Sequence, residues 1–374
     1  MFDVAVIGGN LAGASAAINA AQKGVSVVLI ERNKEPYFPP HCGEGTTDIE
    51  SKWLGLDTIK CKKNEIKTIK INIASSKEYT FKLKHHRLII FDRNYLEKQL
   101  LKKVEQQGVK LLLGNSMQAF NPPNEIILEN HNKIKGRVII DASGIACQVG
   151  RRIGIDTKLK PKDIGICIQS RVQSDFTADT MKMWFHKPYA PFGYAWLFPL
   201  NNTLANIGLG IPGGQNVDIA KLLDTYIKSI TYGNHKINST FKACVPSAAP
   251  LTRVIKDNVL IVGDAARIAH PLSGSGIGNA YFSGSIAGIL AAKFIQGEIP
   301  SLAAYQDVMQ YKISKLGKEY NKKVKIFETE ERFIHTYNRD WLMLWLMNKL
   351  FPRFLENRVA KVIRKDKSIL EFYK

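Results

Sequence analysis

The stretch FDVAVIGGNLAGASAAINAAQKG, residues 2–24, decides the fold of this 374-residue chain. Its apolar start ends in a Gly-Gly-Asn turn, its middle is rich in alanine, and it closes on a helix-breaking glycine. A second apolar run follows and ends at Glu31. This order predicts strand, tight turn, helix, strand and acid, the βαβ unit in which a glycine-rich turn binds a dinucleotide.

Particular positions in this unit fit an adenine dinucleotide. Gly8 permits the tight turn, and Gly13 lets the helix pack closely on the sheet. The helix amino terminus offers free N–H groups and a positive dipole end to a pyrophosphate. Glu31 stands where a carboxylate accepts hydrogen bonds from the adenosine ribose hydroxyls. Asn10 replaces the second glycine of the pattern, and asparagine tolerates the left-handed backbone better than most residues. The alternative is a strand–glycine–helix junction that binds no ligand.

A second glycine-rich pattern, residues 208–213, is a weaker match to a NADPH site. Pro212 and the polar residues after it delay any helix, and no acid ends a following strand at the right distance. We interpret this segment as a strand end and a loop.

Another pattern indicates a flavin. The apolar run at residues 259–266 ends a strand in Gly-Asp and leads through a glycine-rich turn into a helix of small residues. Asp264 can bind a ribityl hydroxyl, and the helix amino terminus can face the flavin pyrimidine edge and stabilise the anionic reduced ring. Between the two patterns, Asp92 and Arg93 open an amphipathic helix, and another strand ends in Asp141-Ala-Ser-Gly.

In this order and spacing the four segments resemble the FAD-binding core of the para-hydroxybenzoate hydroxylase-like flavoproteins. Two further segments narrow the resemblance to the geranylgeranyl reductases. HCGEG at residues 41–45 is similar to their Cys-Gly segment, and PFGYAWLFP at residues 191–199 matches their Pro-x-x-Tyr-x-Trp-x-Phe-Pro motif at every specified position. The resemblance covers roughly residues 1–300, and the residues after them carry no motif that matches the family.

The resemblance implies that FAD is the cofactor. Glu31 would hold its adenosine side, Arg93 its phosphate or ribityl region, and Asp264 its ribityl chain, while Met117 would give the adenine a backbone contact. The full set assigned to the cofactor is Gly8, Gly13, Glu31, Cys42, Gly43, Gly45, Arg93, Met117, Asp264, Gly274, Gly276 and Ile277.

Short alternating runs between about residues 155 and 245 predict an antiparallel sheet that binds the substrate. Tyr194, Trp196 and Phe198 are spaced by two, so they share one face of a strand. From the pattern alone the three rings are core residues, whereas the resemblance makes them the wall of a prenyl tunnel. The set assigned to the substrate is Pro191, Tyr194, Trp196, Phe198 and Pro199.

The activity that the resemblance implies is hydrogenation of isolated double bonds in the geranylgeranyl chains of a membrane lipid or its precursor. Reduced FAD would deliver hydride from N5 to one alkene carbon, and an acid or water would protonate the other. Cys42 is the candidate catalytic acid, and the alternative is that its thiol only shapes the site.

The composition excludes several other classes of protein. Fifty-three Lys plus Arg against 33 Asp plus Glu give a formal net charge of +20. The first residues lack the basic region of a secretory signal. Five scattered cysteines favour a reducing cytoplasm over a disulfide framework or a zinc site, and we expect no metal. The most apolar stretch, residues 341–351, is shorter than the about 20 residues that span a bilayer.

We therefore expect an α/β fold, α+β overall, with three parts. A Rossmann-like FAD-binding domain comprises residues 1–60, 90–155 and 246–300. An antiparallel-sheet substrate domain comprises residues 61–89 and 156–245, and a C-terminal helical region comprises residues 301–374. In that last region large apolar residues stand beside cations, which suits either a helix on the inner face of the cell membrane or a cap packed on the sheet domain.

Two other functions stay open at this point. A flavin-dependent monooxygenase or halogenase shares the scaffold, but halogenases carry Trp-x-Trp-x-Ile-Pro, where this chain has Tyr194 and Phe198. An RNA-binding flavoprotein would suit the charge, but the lysines are spread along the chain without a recognition motif, so we expect no nucleic-acid partner. The electron donor is open between NAD(P)H and a reduced redox protein.

Overall fold

The predicted βαβ unit lies at the centre of a parallel sheet. In the computed structural model, β1 (Phe2–Ile7) pairs in parallel with β2 (Val27–Glu31), and α1 (Leu11–Ala21) connects them. Every residue of β2 is buried, because Val27 and Leu29 pack in one core cluster with α1 and Val28 and Ile30 pack in another with residues 117–128. The structure describes residues 1–35, 42–55, 60–74, 78–84, 87–350 and 354–373, with the side chains of all of these except residues 354–359.

Strands dominate the first two thirds of the described chain and helices the last third. The other strands are, in chain order, β3 (Gly45–Thr47), β4 (Lys62–Ile66), β5 (Thr68–Ile73), β6 (Glu78–Lys82), β7 (Leu88–Phe91), β8 (Lys110–Leu113), β9 (Met117–Asn121), β10 (Glu125–Leu128), β11 (Lys133–Asp141), β12 (Ile164–Gln173), β13 (Thr180–His186), β14 (Ala190–Pro199), β15 (Leu204–Pro212), β16 (Lys236–Pro246), β17 (Ile255–Lys256) and β18 (Val259–Ile261). The other helices are α2 (Asp48–Leu54), α3 (Arg93–Gln106), α4 (Gln148–Arg152), α5 (Ile219–Thr231), α6 (Ile277–Ile295), α7 (Ala303–Ile326), α8 (Glu330–Leu350) and α9 (Phe354–Tyr373).

The first large sheet has the order β17-β18-β11-β1-β2-β8 and carries the predicted nucleotide-binding motifs. Its central pairs are parallel, and β17 adds an antiparallel edge. A β9–β10 hairpin extends from β11. Because β1, β11 and β18 run in the same direction, the turns after Ile7, Asp141 and Ile261 meet at one edge of the sheet.

The second large sheet has the order β16-β12-β15-β14-β13-β5-β6. The predicted antiparallel runs are confirmed for β12 to β15. The expectation of an antiparallel sheet throughout is wrong at one pair, because β13 and β5 are parallel. The hairpin β5–β6 is distant in sequence from β13, so no tight turn sets its direction. Residues 208–213 end β15 and enter a turn, as predicted, rather than starting a helix.

A small sheet, β3-β7-β4, lies where the two large sheets approach each other. Its buried Ile66 and Ile90 pack with Met181 and Leu200 of the second large sheet and its turn. The segment 61–89 thus supplies strands to two sheets: β5 and β6 join the seven-stranded sheet, whereas β4 and β7 belong to the small one. The division of the chain into three domains stays a prediction.

Helices α1 and α6 cross at very close range beneath the parallel sheet. A Cβ atom on Gly284 or Gly288 would clash with the carbonyl oxygens of Ala12 or Ala16. Small residues therefore bring the two helices into backbone contact. This contact fixes where both helices begin, and both amino termini lie at the edge of the sheet that carries the motif turns.

The C-terminal helices are integrated into the molecule. Tyr305 of α7 is fully buried, and its hydroxyl donates to the Ile261 carbonyl oxygen at 2.9 Å. The inner face of α8 packs on β5, β6, β13 and β14 in an apolar cluster that includes Phe333, which is also fully buried. Leu370 of α9 joins the main core. Along the described segments, we find no helix with the length and apolar character that a bilayer crossing requires.

Candidate functional site

A cavity of about 670 Å³ opens between the motif edge of the parallel sheet and the seven-stranded sheet. Most of the residues singled out from the sequence line it. Those residues are Gly8, Glu31, Cys42, Gly43, Arg93, Met117, Tyr194, Trp196, Phe198, Asp264, Gly274, Gly276 and Ile277. The cavity walls do not include Gly13, Gly45, Pro191 and Pro199.

The predicted residues outside the cavity wall support the residues that line it. A Cβ on Gly13 would clash with the Gly8 carbonyl oxygen, so this glycine allows α1 to begin directly under the turn. Gly45 lies against the Phe198 ring, with its Cβ position 3.4 Å from Cε2. The Pro191 and Pro199 carbonyl oxygens accept hydrogen bonds from Gln215 and Asn64, which hold the two ends of the motif.

The nucleotide end of the cavity is formed by the turn between β1 and α1. Gly8 has φ +103°, and a Cβ there would clash with the Ala142 carbonyl oxygen, so this position requires glycine. Asn10 has φ −73°, so the left-handed backbone expected for it is not used. Its side chain makes no capping bond, which leaves the first N–H groups of α1 open to the cavity.

Glu31 is held at the same end by two backbone groups. Its carboxylate accepts from the Gly9 N–H at 2.7 Å and from the Asn33 N–H at 2.8 Å. Only 6% of the residue is exposed. The carboxylate is thus oriented in the cavity wall before any ligand contacts it.

The other end of the cavity contains Asp264 and the amino terminus of α6. Asp264 lies in a 3-10 turn after β18, and Gly276 is the N-cap of α6, so no side chain of that residue covers the helix end. Burial raises the pKa of Asp264 to about 6, although the Arg93 charge opposes the shift. Among the described residues, no donor hydrogen-bonds to this carboxylate.

Arg93 lies between Asp264 and Cys42. Its Nε donates to Glu97 Oε1 at 2.5 Å. Burial opposes its charge, but Glu97, Cys42 and Asp264 together hold the pKa of the guanidinium above its ordinary value. Burial also raises the pKa of the Cys42 thiol, and the Arg93 charge partly offsets that effect.

A buried polar network that the sequence did not reveal holds the Cys-Gly turn. Glu44 has φ +67° and is 1% exposed. Its carboxylate forms an ion pair with Arg171 and accepts from Asn206 Nδ2 at 2.7 Å and from the Arg93 N–H at 3.0 Å. Burial raises the pKa of Glu44, and Arg171 opposes the shift. The network fastens the turn to β12 and β15 of the seven-stranded sheet.

A second link joins Cys42 to the aromatic motif. Gln169 of β12 accepts from Trp196 Nε1 at 2.8 Å through Oε1 and donates through Nε2 to the Cys42 carbonyl oxygen at 3.1 Å. Trp196 and Cys42 are therefore fixed relative to each other by one buried amide.

The aromatic motif forms one continuous wall. The ring centroids of Tyr194 and Trp196 are 5.6 Å apart, and those of Trp196 and Phe198 are 6.2 Å apart. The Tyr194 hydroxyl donates to the Ser273 carbonyl oxygen at 2.6 Å, which joins the wall to the turn before α6. A Cβ on Gly208 would clash with the Trp196 ring, so this glycine makes room for the indole. The three rings line the cavity as well as packing against one another.

Sequence reasoning did not identify Glu44, Gln169, Arg171, Asn206 and Gly208 as functional residues. Gly208 belongs to the glycine-rich stretch interpreted as a strand end and a loop, and its sequence gives no sign that its missing Cβ makes room for Trp196. The other four carry no local pattern. Glu44 is separated from Arg171 by 127 positions and from Asn206 by 162.

The arrangement fits an extended dinucleotide such as FAD. Helices α1 and α6 direct open amino termini at the two ends of one cavity, where a pyrophosphate and an anionic ring system are favoured. Glu31 and Asp264, one at each end, offer carboxylate oxygens to hydroxyl groups. The donor set and the cradle at Gly8 suit this cofactor.

Two family models match the chain. The geranylgeranyl reductase catalytic domain matches residues 163–245, and the FAD dependent oxidoreductase model matches residues 3–169. The first covers β12 to β16 with the aromatic motif, and the second covers the βαβ unit and the Cys-Gly turn.

Two reductases are similar to this chain in sequence, and a solved structure is similar to it in fold. Digeranylgeranylglycerophospholipid reductase 1 of Methanococcoides burtonii is 30% identical over 79% of this chain and 75% of its own length. The digeranylgeranylglycerophospholipid reductase of Methanothrix thermoacetophila is 30% identical over 96% of this chain and 93% of its own, so the similarity extends into the helices after residue 300. The crystal structure of a geranylgeranyl bacteriochlorophyll reductase-like protein from Thermoplasma acidophilum has a TM-score of 0.81 at 21% identity, covering 95% of this chain and 98% of that one.

Proposed function

Because this chain belongs to the geranylgeranyl reductase family, we propose that it hydrogenates isolated double bonds of geranylgeranyl chains in membrane lipids or their precursors. It is an FAD-dependent oxidoreductase with the α/β fold expected from the sequence. Relatives named digeranylgeranylglycerophospholipid reductases support an isoprenoid glycerophospholipid as the substrate class.

A single observation carries this proposal. One cavity contains both the groups suited to a flavin dinucleotide and a wall of three aromatic rings. A long apolar chain in this space would lie between that wall and the amino terminus of α6. Tyr194 connects the aromatic wall to the amino terminus of α6, because its hydroxyl donates a hydrogen bond to Ser273 in the turn that leads into α6.

Bound reduced FAD supplies the hydride that one alkene carbon receives. The chain's own residues orient the alkene, exclude water and supply the proton for the other carbon. The faces of Tyr194, Trp196 and Phe198 suit an alkene that develops cationic character, because the π face of an aromatic ring attracts positive charge. The assigned cofactor and substrate residues are part of this proposal.

We assign the proton to Cys42. Burial raises its pKa, so the group is a neutral thiol near neutral pH, and the Glu44 N–H donates to Sγ at 3.2 Å. As the alkene carbon takes the Sγ proton, the resulting thiolate is stabilised by the Arg93 charge and regains a proton from water. The alternative is that water delivers the proton and the thiol only shapes the cavity.

The substrate lies in a membrane, and the outer face of α8 fits that location. Four apolar residues on this helix are exposed by 44–70%: Leu342, Met343, Leu346 and Leu350. Lys349 Nζ lies 3.8 Å from the Trp345 ring centroid, so a cation borders the apolar stripe. With a net charge of +20, this stripe suits the surface of an anionic bilayer.

The aromatic cluster under α8 reaches the cavity. Phe192 and Phe327 line the cavity and lie 6.2 Å apart, and both contact Phe333 on the inner face of α8. These rings connect the inner face of α8 to the cavity wall, whereas the exposed apolar stripe lies on the opposite face of the helix.

Vesicle co-sedimentation tests the membrane contact. The paired substitution Leu342→Glu with Leu346→Glu should abolish binding to phosphatidylglycerol vesicles, and wild-type binding should fall with added salt. Val217→Glu, an equally exposed apolar site away from α8, is the control and should bind as the wild type. Undiminished binding of the paired variant would refute α8 as the contact surface.

The function is tested by anaerobic turnover. The protein with chemically reduced flavin is mixed with a geranylgeranyl glycerophospholipid, and the mass of the product is measured by mass spectrometry. We expect a gain of two hydrogen atoms per reduced bond without oxygen, and parallel assays with NAD(P)H or a reduced ferredoxin identify the donor class. A product that carries oxygen or halogen, formed only in air, would instead support the monooxygenase or halogenase alternative.

A further inference from the structure

Buried charged groups lie behind the amino terminus of α6, outside the cavity. Lys312 of α7 is 4% exposed, and its Nζ donates to Asp366 Oδ2 of α9 at 2.5 Å and to Asn279 Oδ1 of α6 at 2.8 Å. Asp366 is 3% exposed and also accepts from the Tyr311 hydroxyl. Helices α7 and α9 thus place an ion pair against the first turn of α6.

Glu50 of α2 completes the cluster from the other side. Its carboxylate accepts from Thr46 Oγ1 at 2.5 Å and from the Gly278 N–H. A Cβ on Gly278 would clash with Oε1 of this carboxylate, so a glycine in the first turn of α6 admits it. Burial raises the pKa of Glu50, and the Lys312 charge opposes that shift.

The location connects this cluster to the cavity. Gly276 and Ile277 line the cavity, and Gly278 is the next residue. Glu50 is reached from the Cys42 turn through the short strand β3, so a single stretch of chain borders the cavity and then contacts α6. The described cavity lining includes none of Glu50, Lys312 and Asp366, so they act through the helix.

The charge balance of the cluster opposes the helix dipole. A helix amino terminus carries roughly half a positive elementary charge, and a carboxylate within its first turn offsets part of that potential. When Glu50, Asp366 and Lys312 are all ionised, the cluster holds two negative charges and one positive charge, a sum of one negative charge. Charge placed near a flavin ring is one of the ways in which a protein tunes the ring's electronics.

We propose that Glu50, with the Lys312–Asp366 pair behind it, sets the reduction potential of the bound FAD by moderating the positive potential at the amino terminus of α6. The three are positioning residues, and the proposal rests on FAD lying in the cavity with its flavin at α6. It also gives the C-terminal helices, which carry no recognised motif, a function at the cofactor.

The expected direction follows from the charges. Glu50→Gln keeps an oxygen for the Gly278 N–H but removes a negative charge, so the anionic reduced flavin is stabilised and the potential rises. Asp366→Asn removes the negative charge that pairs with Lys312, so the Lys312 charge offsets that of Glu50 and the reduction potential of the flavin also rises. Lys312→Met leaves both carboxylates without a cation, so the potential falls.

The test is an anaerobic redox titration of the FAD-loaded full chain against a reference dye, without lipid, so that its outcome does not depend on reductase activity. At a fixed dye potential we expect the ratio of reduced to oxidised flavin to increase about threefold to tenfold in Glu50→Gln, tenfold being about 30 mV for a two-electron couple.

Asp340→Asn is the matched control, because it removes one negative charge from an exposed ion pair with Lys322 between α7 and α8. Its ratio should equal that of the wild type. Ratios for Glu50→Gln and Asp366→Asn that equal the control would overturn the proposal. If Glu50→Gln does not retain FAD, Asp366→Asn and Lys312→Met decide by shifting in opposite directions or by not shifting.

Discussion

Gly208 shows how one absent Cβ shapes the cavity wall. The Trp196 ring occupies the space that a side chain at position 208 would need. The indole in turn holds Gln169, which holds the Cys42 carbonyl. A change at Gly208 therefore reaches the candidate acid through two hydrogen bonds.

We predict that Gly208→Ala lowers turnover of a geranylgeranyl lipid at least about tenfold while FAD remains bound. The added Cβ displaces the Trp196 ring, and the displaced aromatic wall no longer orients the alkene. Steady-state rates and the flavin spectrum measure both properties. Gly317→Ala is the control, since nothing lies near that Cβ position in α7, and it should leave turnover unchanged and stabilise the helix by about 0.5–1 kcal/mol. Equal turnover of the two variants would contradict the assigned wall.

Cys42 supports a second prediction at this scale. Cys42→Ala should lower the chemical step by about 10²-fold or more, the usual contribution of a positioned proton donor. Cys42→Ser should recover part of that loss, and Cys244→Ala, another cysteine of the cavity lining, should behave as the wild type. Single-turnover rates give the comparison, and an unchanged rate in Cys42→Ala would assign the proton to water.

Asp264 supports a prediction about pH. Its pKa is raised to about 6 by burial, so the folded state favours the protonated carboxyl. The protonated carboxyl stabilises the folded state fully at pH values below the pKa of Asp264 in the unfolded chain. This stabilisation is lost as the pH rises through about 6. Without FAD, the wild type should therefore gain stability relative to Asp264→Asn between about pH 7 and about pH 4. Urea midpoints of both proteins across this range provide the measurement, and parallel curves would contradict the prediction.

Sequence patterns pointed to site residues where the signal is local. Gly8, Glu31 and Asp264 belong to short patterns around strand ends, and the structure brings all three to one cavity wall, while their roles toward the cofactor stay predictions. Glu44 could not be found in this way, because its partners Arg171 and Asn206 come from distant strands. Glu44, Arg171 and Asn206 form a network only because the fold brings them into contact.

At the scale of elements, periodicity predicted the strands better than their directions. The alternating runs predicted between about residues 155 and 245 form β12 to β15, since a half-buried strand alternates along its own length. The parallel pairing of β5 with β13 was missed, because the direction of a strand that is not joined by a hairpin leaves no mark in its sequence.

Helix α8 supports a prediction at this scale. Phe333 is fully buried and stacks on Tyr337 at 4.3 Å between ring centroids. Phe333→Ala should destabilise the protein by about 3–5 kcal/mol, the usual cost of a large aromatic cavity in a core. Leu342→Ala on the opposite, 44% exposed face should change stability by less than about 0.5 kcal/mol. Urea unfolding gives both values, and similar costs for the two would show that α8 is not docked as described.

At the scale of the whole molecule, the proposed membrane contact involves the charge and the C-terminal helices together. A net charge of +20 by itself suited nucleic acid as well as lipid. Family membership, the apolar stripe on α8 and the aromatic cluster beneath it favour an anionic lipid surface. Residues 301–374 carried no recognised motif because many sequences can supply buried contacts and ion pairs such as Lys312–Asp366.

The most direct test of the central claim is an anaerobic single turnover. Enzyme with fully reduced flavin is mixed with excess geranylgeranyl glycerophospholipid, and the flavin absorbance is followed while the lipid is sampled. We expect the flavin to reoxidise without oxygen and one double bond to be lost per flavin. Flavin that stays reduced until oxygen is admitted, with the lipid unchanged, would contradict the proposed reductase function.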